Sequence, residues 1–232
     1  MKLRALFDKV ANRLSSPSPK ELAAIWAWCE GRAEPLDAYG ESLDPALWAE
    51  AAAFTRKLEE RGRSLDIEGF GGGAAYGLLY FLVRLRKPAV ALETGVAAGW
   101  SSEAILAAMA ANGGGVLWSS DLPYMRGGRE PGVLVSPEHR DRWRLFKQGD
   151  KDNLPAILSE SGPVEFFHYD SDKSVAGRDW AWRQVRPHLA PDAVVVWDDV
   201  QDNWHFRDRM EGRVFRFQRK FVGLVDPTGA RS

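Results

Sequence analysis

Apolar positions recur at helical spacing through the first part of the chain. Leu3, Leu6, Phe7, Val10 and Leu14 follow the i, i+3, i+4, i+7 rule. Ser15-Ser16-Pro17-Ser18-Pro19 interrupts that run, and Ser18-Pro19 reads as an N-cap with proline at the first helical position. A second helix is predicted over 20–32, with Leu22, Ile25, Trp26 and Cys29 on one face. A third starts near Asp44-Pro45 and runs to Arg61, burying Leu47, Ala51, Phe54 and Leu58. No strand signal is visible in this part. From residue 73 the pattern changes to helices alternating with short apolar runs. Helices are predicted over 73–86, 101–112, 153–160 and 174–188, and strands over 89–92, 116–119, 145–147, 164–169 and 193–197. Two last strand candidates, 214–217 and 221–225, lie so close together that they must form a hairpin.

This alternation predicts a doubly wound α/β fold. Its sheet is seven-stranded and mainly parallel, with an antiparallel C-terminal hairpin strand. Residues 1–69 form a helical N-terminal extension, with the roles of lid, substrate wall or oligomer surface open to it. Residues 70–232 form the ligand-binding domain. Phe70-Gly71-Gly72-Gly73 is read either as a hinge or as a linker between them. In such a sheet ligands sit beyond the carboxyl ends of the strands, at the switch point. The residues just after each strand are therefore the ones to examine.

Composition narrows the function classes. The 232 residues include 31 Lys+Arg and 32 Asp+Glu, so the net charge of -1 offers no global field for nucleic acid or an acidic membrane. The single cysteine, Cys29, precludes an intramolecular disulfide and is read as a packing residue. The N-terminal residues do not form a signal peptide, and the longest apolar stretch, 70–83, is too short to span a bilayer. A soluble, cytoplasmic protein is expected.

The first strand runs into Glu93-Thr94-Gly95-Val96-Ala97-Ala98-Gly99-Trp100-Ser101-Ser102. Glycine after a strand permits a sharp turn and close approach of a ligand, and the helix that follows presents free N–H groups. A dinucleotide would need G-x-G-x-x-G, but Ala97 holds the middle position, and the charge of Glu93 would face a pyrophosphate. Asp121, at the second strand tip, is placed to accept from ribose hydroxyls, or else caps a loop. Asp150, in Gly149-Asp150 after the third strand, is a helix cap or a ligand contact. The fourth strand ends Tyr169-Asp170-Ser171-Asp172-Lys173 and the fifth Trp197-Asp198-Asp199, which brings four carboxylates together. Such a cluster repels itself unless a cation intervenes, and oxygen-only ligation suits Mg²⁺, Mn²⁺ or Ca²⁺. Helix capping is the competing account of these acids.

Taken together, these motifs resemble class I, S-adenosylmethionine-dependent methyltransferases. The likeness is to the small family that includes macrocin O-methyltransferase-like and cephalosporin-hydroxylase-like enzymes. It rests on Glu93-Thr94-Gly95…Gly99-Trp100-Ser101-Ser102, Arg142-Trp143, Gly149-Asp150…Leu154-Pro155, Phe167-His168-Tyr169-Asp170-Ser171 and Asp198-Asp199…Asn203…Phe206. The helix over 73–86 and the strand after it also resemble the entry to catechol-type O-methyltransferases. The resemblance implies a cofactor site of Glu93, Gly95, Val96, Ala97, Gly99, Ser101, Asp121, Leu122, Gly149, Asp150 and Asp170. It implies Mg²⁺ on Asp170, Asp198 and Asp199, and methylation of a hydroxyl on a small-molecule or sugar acceptor. Many members have His where this chain has Lys173, so Asp172, Lys173 and His205, with His168 behind them, are the candidate bases. Ala190-Pro191-Asp192 replaces a Pro-Gly-Gly turn. The loop 122–136, with Arg126 and Arg129, and the segment 201–213 are expected to shape the acceptor site. A nicotinamide-dependent oxidoreductase and a non-catalytic protein keeping the fold are the alternatives.

Overall fold

The computed structural model describes residues 17–65, 67, 73–123 and 130–226. The predicted helix at 3–14, most of the glycine hinge, and Arg126 and Arg129 lie outside them. Helix α1 (Pro19–Arg32) starts as its sequence dictates. Ser18 Oγ accepts from the Glu21 amide at 3.2 Å, and Pro19 occupies the first turn. Helix α2 (Leu36–Leu43), absent from the sequence reading, follows. Helix α3 (Pro45–Ser64) is capped by Asp44, whose Oδ1 accepts from the Leu47 amide at 2.9 Å. Helix α4 (Tyr76–Arg86) leads into the alternating part: β2 (Val90–Thr94), α5 (Trp100–Asn112), β3 (Val116–Ser120), β4 (Trp143–Phe146), α6 (Asp150–Glu160), β5 (Val164–Tyr169), α7 (Val175–Val185), β6 (Leu189–Trp197), the short α8 (His205–Arg209), β7 (Arg213–Phe217) and β8 (Lys220–Val225).

With β1 (Ala33–Glu34), the strands form one eight-stranded sheet in the order β1-β7-β8-β6-β5-β2-β3-β4. The strand beyond the seven expected is β1, the dipeptide Ala33–Glu34, which pairs parallel with β7. Two residues carry no period, so this strand was invisible in the sequence. The antiparallel member of the hairpin is β8, which pairs antiparallel with both β6 and β7. The remaining pairs are parallel.

Successive strand residues point to opposite faces, and both faces are covered. Ala91, Phe166, Val194 and Val196 belong to a core shared with α3, α4 and α5. Leu92, Phe167, Val195 and Trp197 belong to a second core shared with α1, α6 and α7. The N-terminal helices thus pack on the sheet itself, with Ala51 and Leu58 on one side and Ile25 and Cys29 on the other. The order of strand addition reverses at β2, with β3 on one side and β5 on the other, where Thr94 stands beside Tyr169. That reversal places the crevice between the turn after β2 and the acids after β5 and β6. Among the described residues, no helix is long and apolar enough to cross a membrane.

Candidate active site

The turn between β2 and α5 is built by left-handed backbone. Gly95 has φ +82° and Gly99 φ +97°, and Ala97 between them has φ +48°. Ala97 therefore adopts a conformation that glycine takes without strain. Both hydrogen bonds at the centre of the turn go to Asp121 at the tip of β3: its Oδ2 accepts from Val96 N at 2.9 Å and Ala97 N at 2.8 Å. Its Oδ1 accepts from Leu122 N at 2.6 Å. Leu122 is 60% exposed, and a Cβ on Gly149 would touch its Cδ2 at 3.4 Å. An apolar side chain and a carboxylate thus stand side by side at one strand tip. That pairing suits a nucleoside, with its flat base and ribose hydroxyls. On the opposite side, the returning segment covers the turn: Gly132 N and Leu134 N donate to Ala97 and Ala98 carbonyls at 2.9 and 2.8 Å.

Glu93 is enclosed beneath the turn. It accepts from Ser119 Oγ at 2.7 Å and from Ser102 Oγ, and its other oxygen lies 4.0 Å from His168 Nδ1. Glu93, Ser102, Ser119 and His168 are all fully buried, and Ser101 beside them nearly so. Asp150 is the first residue of α6 and follows Gly149, whose φ is +86°. Its carboxylate accepts from Ser120 Oγ at 2.6 Å and from Ser171 Oγ, bridging the β3 and β5 tips. Burial raises the Asp150 pKa despite these two hydroxyls.

Three of the four acids expected to converge do so. Asp170, Asp198 and Asp199 bring one oxygen each within 4.8 Å of one another. Asp172 is exposed instead, and its Oδ1 accepts from Ser174 N at 2.9 Å beside the start of α7. Lysines occupy the cluster. Lys173 Nζ donates to Asp170 Oδ1 and lies 3.0 Å from Asp199 Oδ2 and 4.0 Å from Asp198 Oδ2. Lys220 Nζ, at the start of β8, donates to Asp198 Oδ2 and lies 3.8 Å from Asp199 Oδ1. Burial alone would lower both lysine pKa values, but the surrounding carboxylates outweigh it and raise them. Burial, with Asp170 and Asp199 adjacent, raises the Asp198 carboxyl. Burial acts on Asp199 in the same direction, but the two ammonium groups outweigh it and hold that carboxyl low.

Asp199 sits at φ +52°, a strained conformation for a non-glycine residue and one that clusters at functional sites. Arg178, 1% exposed, fixes this tip: its Nη2 donates to the Asp198 and Asp199 carbonyls at 3.0 and 2.9 Å. Asn203 Nδ2 donates to the Lys173 carbonyl at 2.6 Å, and Gln201 Oε1 accepts from Phe221 N at 2.8 Å, tying the segment after β6 to both lysine-bearing elements. His205 lies behind the tip, 2% exposed, with its ring 5.0 Å from Trp197 and Nε2 3.2 Å from Asp179 Oδ1. Of the three candidate bases, only Lys173 has its side chain in the cluster. The sequence reading missed Lys220 and Arg178. Lys220 carried no signal, because a lysine beside a hairpin turn is commonplace. Arg178 did: with Ala181 and Val185 it occupies the buried stripe of α7, where a charge needs a partner.

Residues 92–200 match the family described as a methyltransferase domain. Among solved structures, the chain is similar to the O-methyltransferase TomG from Streptomyces achromogenes, involved in tomaymycin synthesis. Identity is 19% over 82% of this chain and 94% of that one, with a TM-score of 0.52. It is similar to an O-methyltransferase from Bacillus cereus at 15% identity, covering 85% and 99% of the two chains, with a TM-score of 0.53. A TDP-rhamnose 3′-O-methyltransferase of calicheamicin biosynthesis gives 16% identity, 66% and 77% coverage and a TM-score of 0.51. None of the curated proteins matches the chain. The fold and the crevice define a class I methyltransferase architecture. The match to a methyltransferase domain, over 92–200, spans the glycine turn and all three clustered acids.

Proposed function

We propose that the protein methylates a hydroxyl oxygen of a small molecule or sugar. The observation that carries this reading is the contact of Gly95 with Asp170. A Cβ on Gly95 would lie 2.2 Å from the Asp170 carbonyl oxygen, so the glycine turn and the charged cluster share one end of the crevice. A methyl donor on the turn and an acceptor at the cluster are then neighbours, and proximity supplies much of the rate. The oxygen and sugar parts of the reading draw support from the O-methyltransferases of similar fold, among them the TDP-rhamnose enzyme.

When bound, S-adenosylmethionine supplies a methyl group on a sulfonium. Transfer forms an O–C bond, breaks the S–C bond with its electron pair passing to sulfur, and releases the hydroxyl proton. Asp121 would accept from the cofactor's ribose and Leu122 and Gly149 would flank its base, while Glu93 acts from below by fixing Ser102 and Ser119. Lys173, held as ammonium, donates to the acceptor oxygen, and a carboxylate of the cluster takes the proton. Asp172 and His205 are turned elsewhere and take no part. No step is assigned to a divalent ion, because ammonium groups already sit among the three carboxylates.

Calorimetric titration with S-adenosylmethionine tests this reading, followed by transfer of labelled methyl to a panel of hydroxylated acceptors. The wild type is expected to bind, and Asp121→Ala to bind ~10–100-fold more weakly through loss of charge-assisted hydrogen bonds. A folded wild-type protein that shows no binding overturns it.

A further inference from the structure

We infer that Lys173 and Lys220 are the resident cations of this active site and occupy the place that a divalent metal ion would need. The inference builds on the methyltransferase reading but concerns the charge of the cluster alone. Three carboxylates converge after β5 and β6, and an acidic cluster of this kind demands positive charge. The chain supplies that charge from two directions. Lys173, three residues beyond Asp170, reaches all three acids within 4.0 Å. Lys220 approaches from the C-terminal hairpin and reaches Asp198 and Asp199. Two ammonium groups carry the same charge as one Mg²⁺ and leave the cluster at -1.

The fit of a divalent ion is therefore poor. An ion bound to Asp170 Oδ1 and Asp199 Oδ2 would fall where Lys173 Nζ already bridges them, and Lys220 holds the inner acid, Asp198, which is fully buried. An entering ion must displace Lys173 and remain a few ångströms from Lys220, and like charges this close in a partly buried site cost several kcal/mol. The lysines also have a fixed frame. Asn203 holds the Lys173 carbonyl, Gln201 ties the tip to β8 at Phe221, and Arg178 pins the left-handed Asp199. The two side chains differ in exposure, 29% for Lys173 and 18% for Lys220. Lys173 is the one that faces an acceptor, and Lys220 is a positioning residue that sets the charge and posture of Asp198 and Asp199.

The test is Mn²⁺ binding by the full chain, read as loss of the free-ion electron paramagnetic resonance signal. Wild type is expected to leave Mn²⁺ free through the millimolar range. The double variant Lys173→Gln/Lys220→Gln is expected to gain one site per chain, at least ~100-fold tighter than wild type, since removing repulsion of several kcal/mol changes affinity by that factor or more. Adding Asp199→Asn to the double variant should abolish the new site. Lys220→Gln alone, which leaves the exposed lysine in place, should gain part of the affinity and covers the case in which the double variant does not fold. Micromolar wild-type binding that Asp199→Asn removes overturns the inference. So does a folded double variant that binds no better than wild type. Titration of the same samples with S-adenosylmethionine keeps the two readings apart: its failure sinks the methyltransferase reading and leaves the Mn²⁺ result standing.

Discussion

Gly62 of α3 lies flat against the indole of Trp100, the first residue of α5. A Cβ at position 62 would fall 2.2 Å from Trp100 Cη2. Next to it, Arg61 Nη1 pairs with Glu103 at 3.1 Å, and Glu103 in turn accepts from Ser136 N at 2.9 Å. Tyr76 stacks on the same indole, with ring centroids 5.3 Å apart. The N-terminal helices are thus wedged directly against the start of the helix that follows the glycine turn. Gly62→Val should force this contact open, destabilise the fold by ~1–3 kcal/mol and weaken cofactor binding along with it. Thermal unfolding and S-adenosylmethionine titration of the variant measure both. Lowered stability with unchanged affinity would show that the wedge supports the fold without reaching the turn.

Ala97 makes a different prediction about the same turn. Left-handed backbone costs an alanine ~1–2 kcal/mol, and glycine escapes that cost at an entropic loss of ~0.5–1 kcal/mol. Ala97→Gly should therefore be more stable than wild type by about 0.5 kcal/mol, with cofactor affinity retained. Ala97→Val should be less stable, because a β-branched residue fits φ +48° worse. Denaturant midpoints for the two variants, moving in opposite directions, are the expected outcome. A loss of stability in Ala97→Gly would mean that the methyl group packs more than the backbone strains.

Ala97 also shows what the sequence could reveal. Its place between Gly95 and Gly99 disqualified the dinucleotide motif, and the turn around it was legible because glycines mark positions of unusual φ. The parallel strands were legible as short apolar runs, since both their faces are buried and their ends carry polar punctuation. The convergence of Asp170 with Asp198 and Asp199 followed from topology, because neighbouring parallel strands end on one side. What topology does not give is the direction of a side chain. Asp172 is two residues from Asp170 but turns back over Gly177, whose missing Cβ leaves room for it. Lys220 reaches the cluster only through the pairing of β8 with β6, a contact across 22 residues that no local pattern encodes. The short β1 likewise exists only because β7 lies beside it.

Arg178 is expected to act on catalysis without meeting a ligand. Its guanidinium lies over the rings of Tyr169 and Trp197, 5.6 and 6.0 Å from their centroids, and one nitrogen serves both carbonyls of the Asp198–Asp199 tip. Arg178→Met keeps much of the packing volume and removes the donor. The buried carbonyls then lose a charge-assisted partner, at a cost of ~1–3 kcal/mol. Asp199 should leave its left-handed conformation and Lys173 should lose a partner. The expected kinetic signature is a fall in kcat of ~10-fold or more, with S-adenosylmethionine affinity little changed, because the turn at Gly95–Gly99 does not touch Arg178. An equal loss in cofactor affinity would show instead that the whole crevice has collapsed.

His205 sets an acid limit on stability. It is buried in the native state, and burial, with Arg178 nearby, pushes its pKa down from 6.5 to about 4 despite Asp179 opposite. Above pH 6.5 the imidazole is neutral both folded and unfolded, and its contribution is fully present. Between about 6.5 and 4 the unfolded chain binds a proton that the folded chain refuses, so stability falls as pH falls. The total loss from this group is on the order of 3 kcal/mol, the free energy of a shift of this size. Denaturant unfolding of the wild type at pH 7, 6 and 5 should show that decline. His205→Phe, which keeps an aromatic ring against Trp197 and cannot protonate, should show a shallower one. Parallel pH profiles for the two proteins would place the acid sensitivity in the carboxylates of the crevice instead.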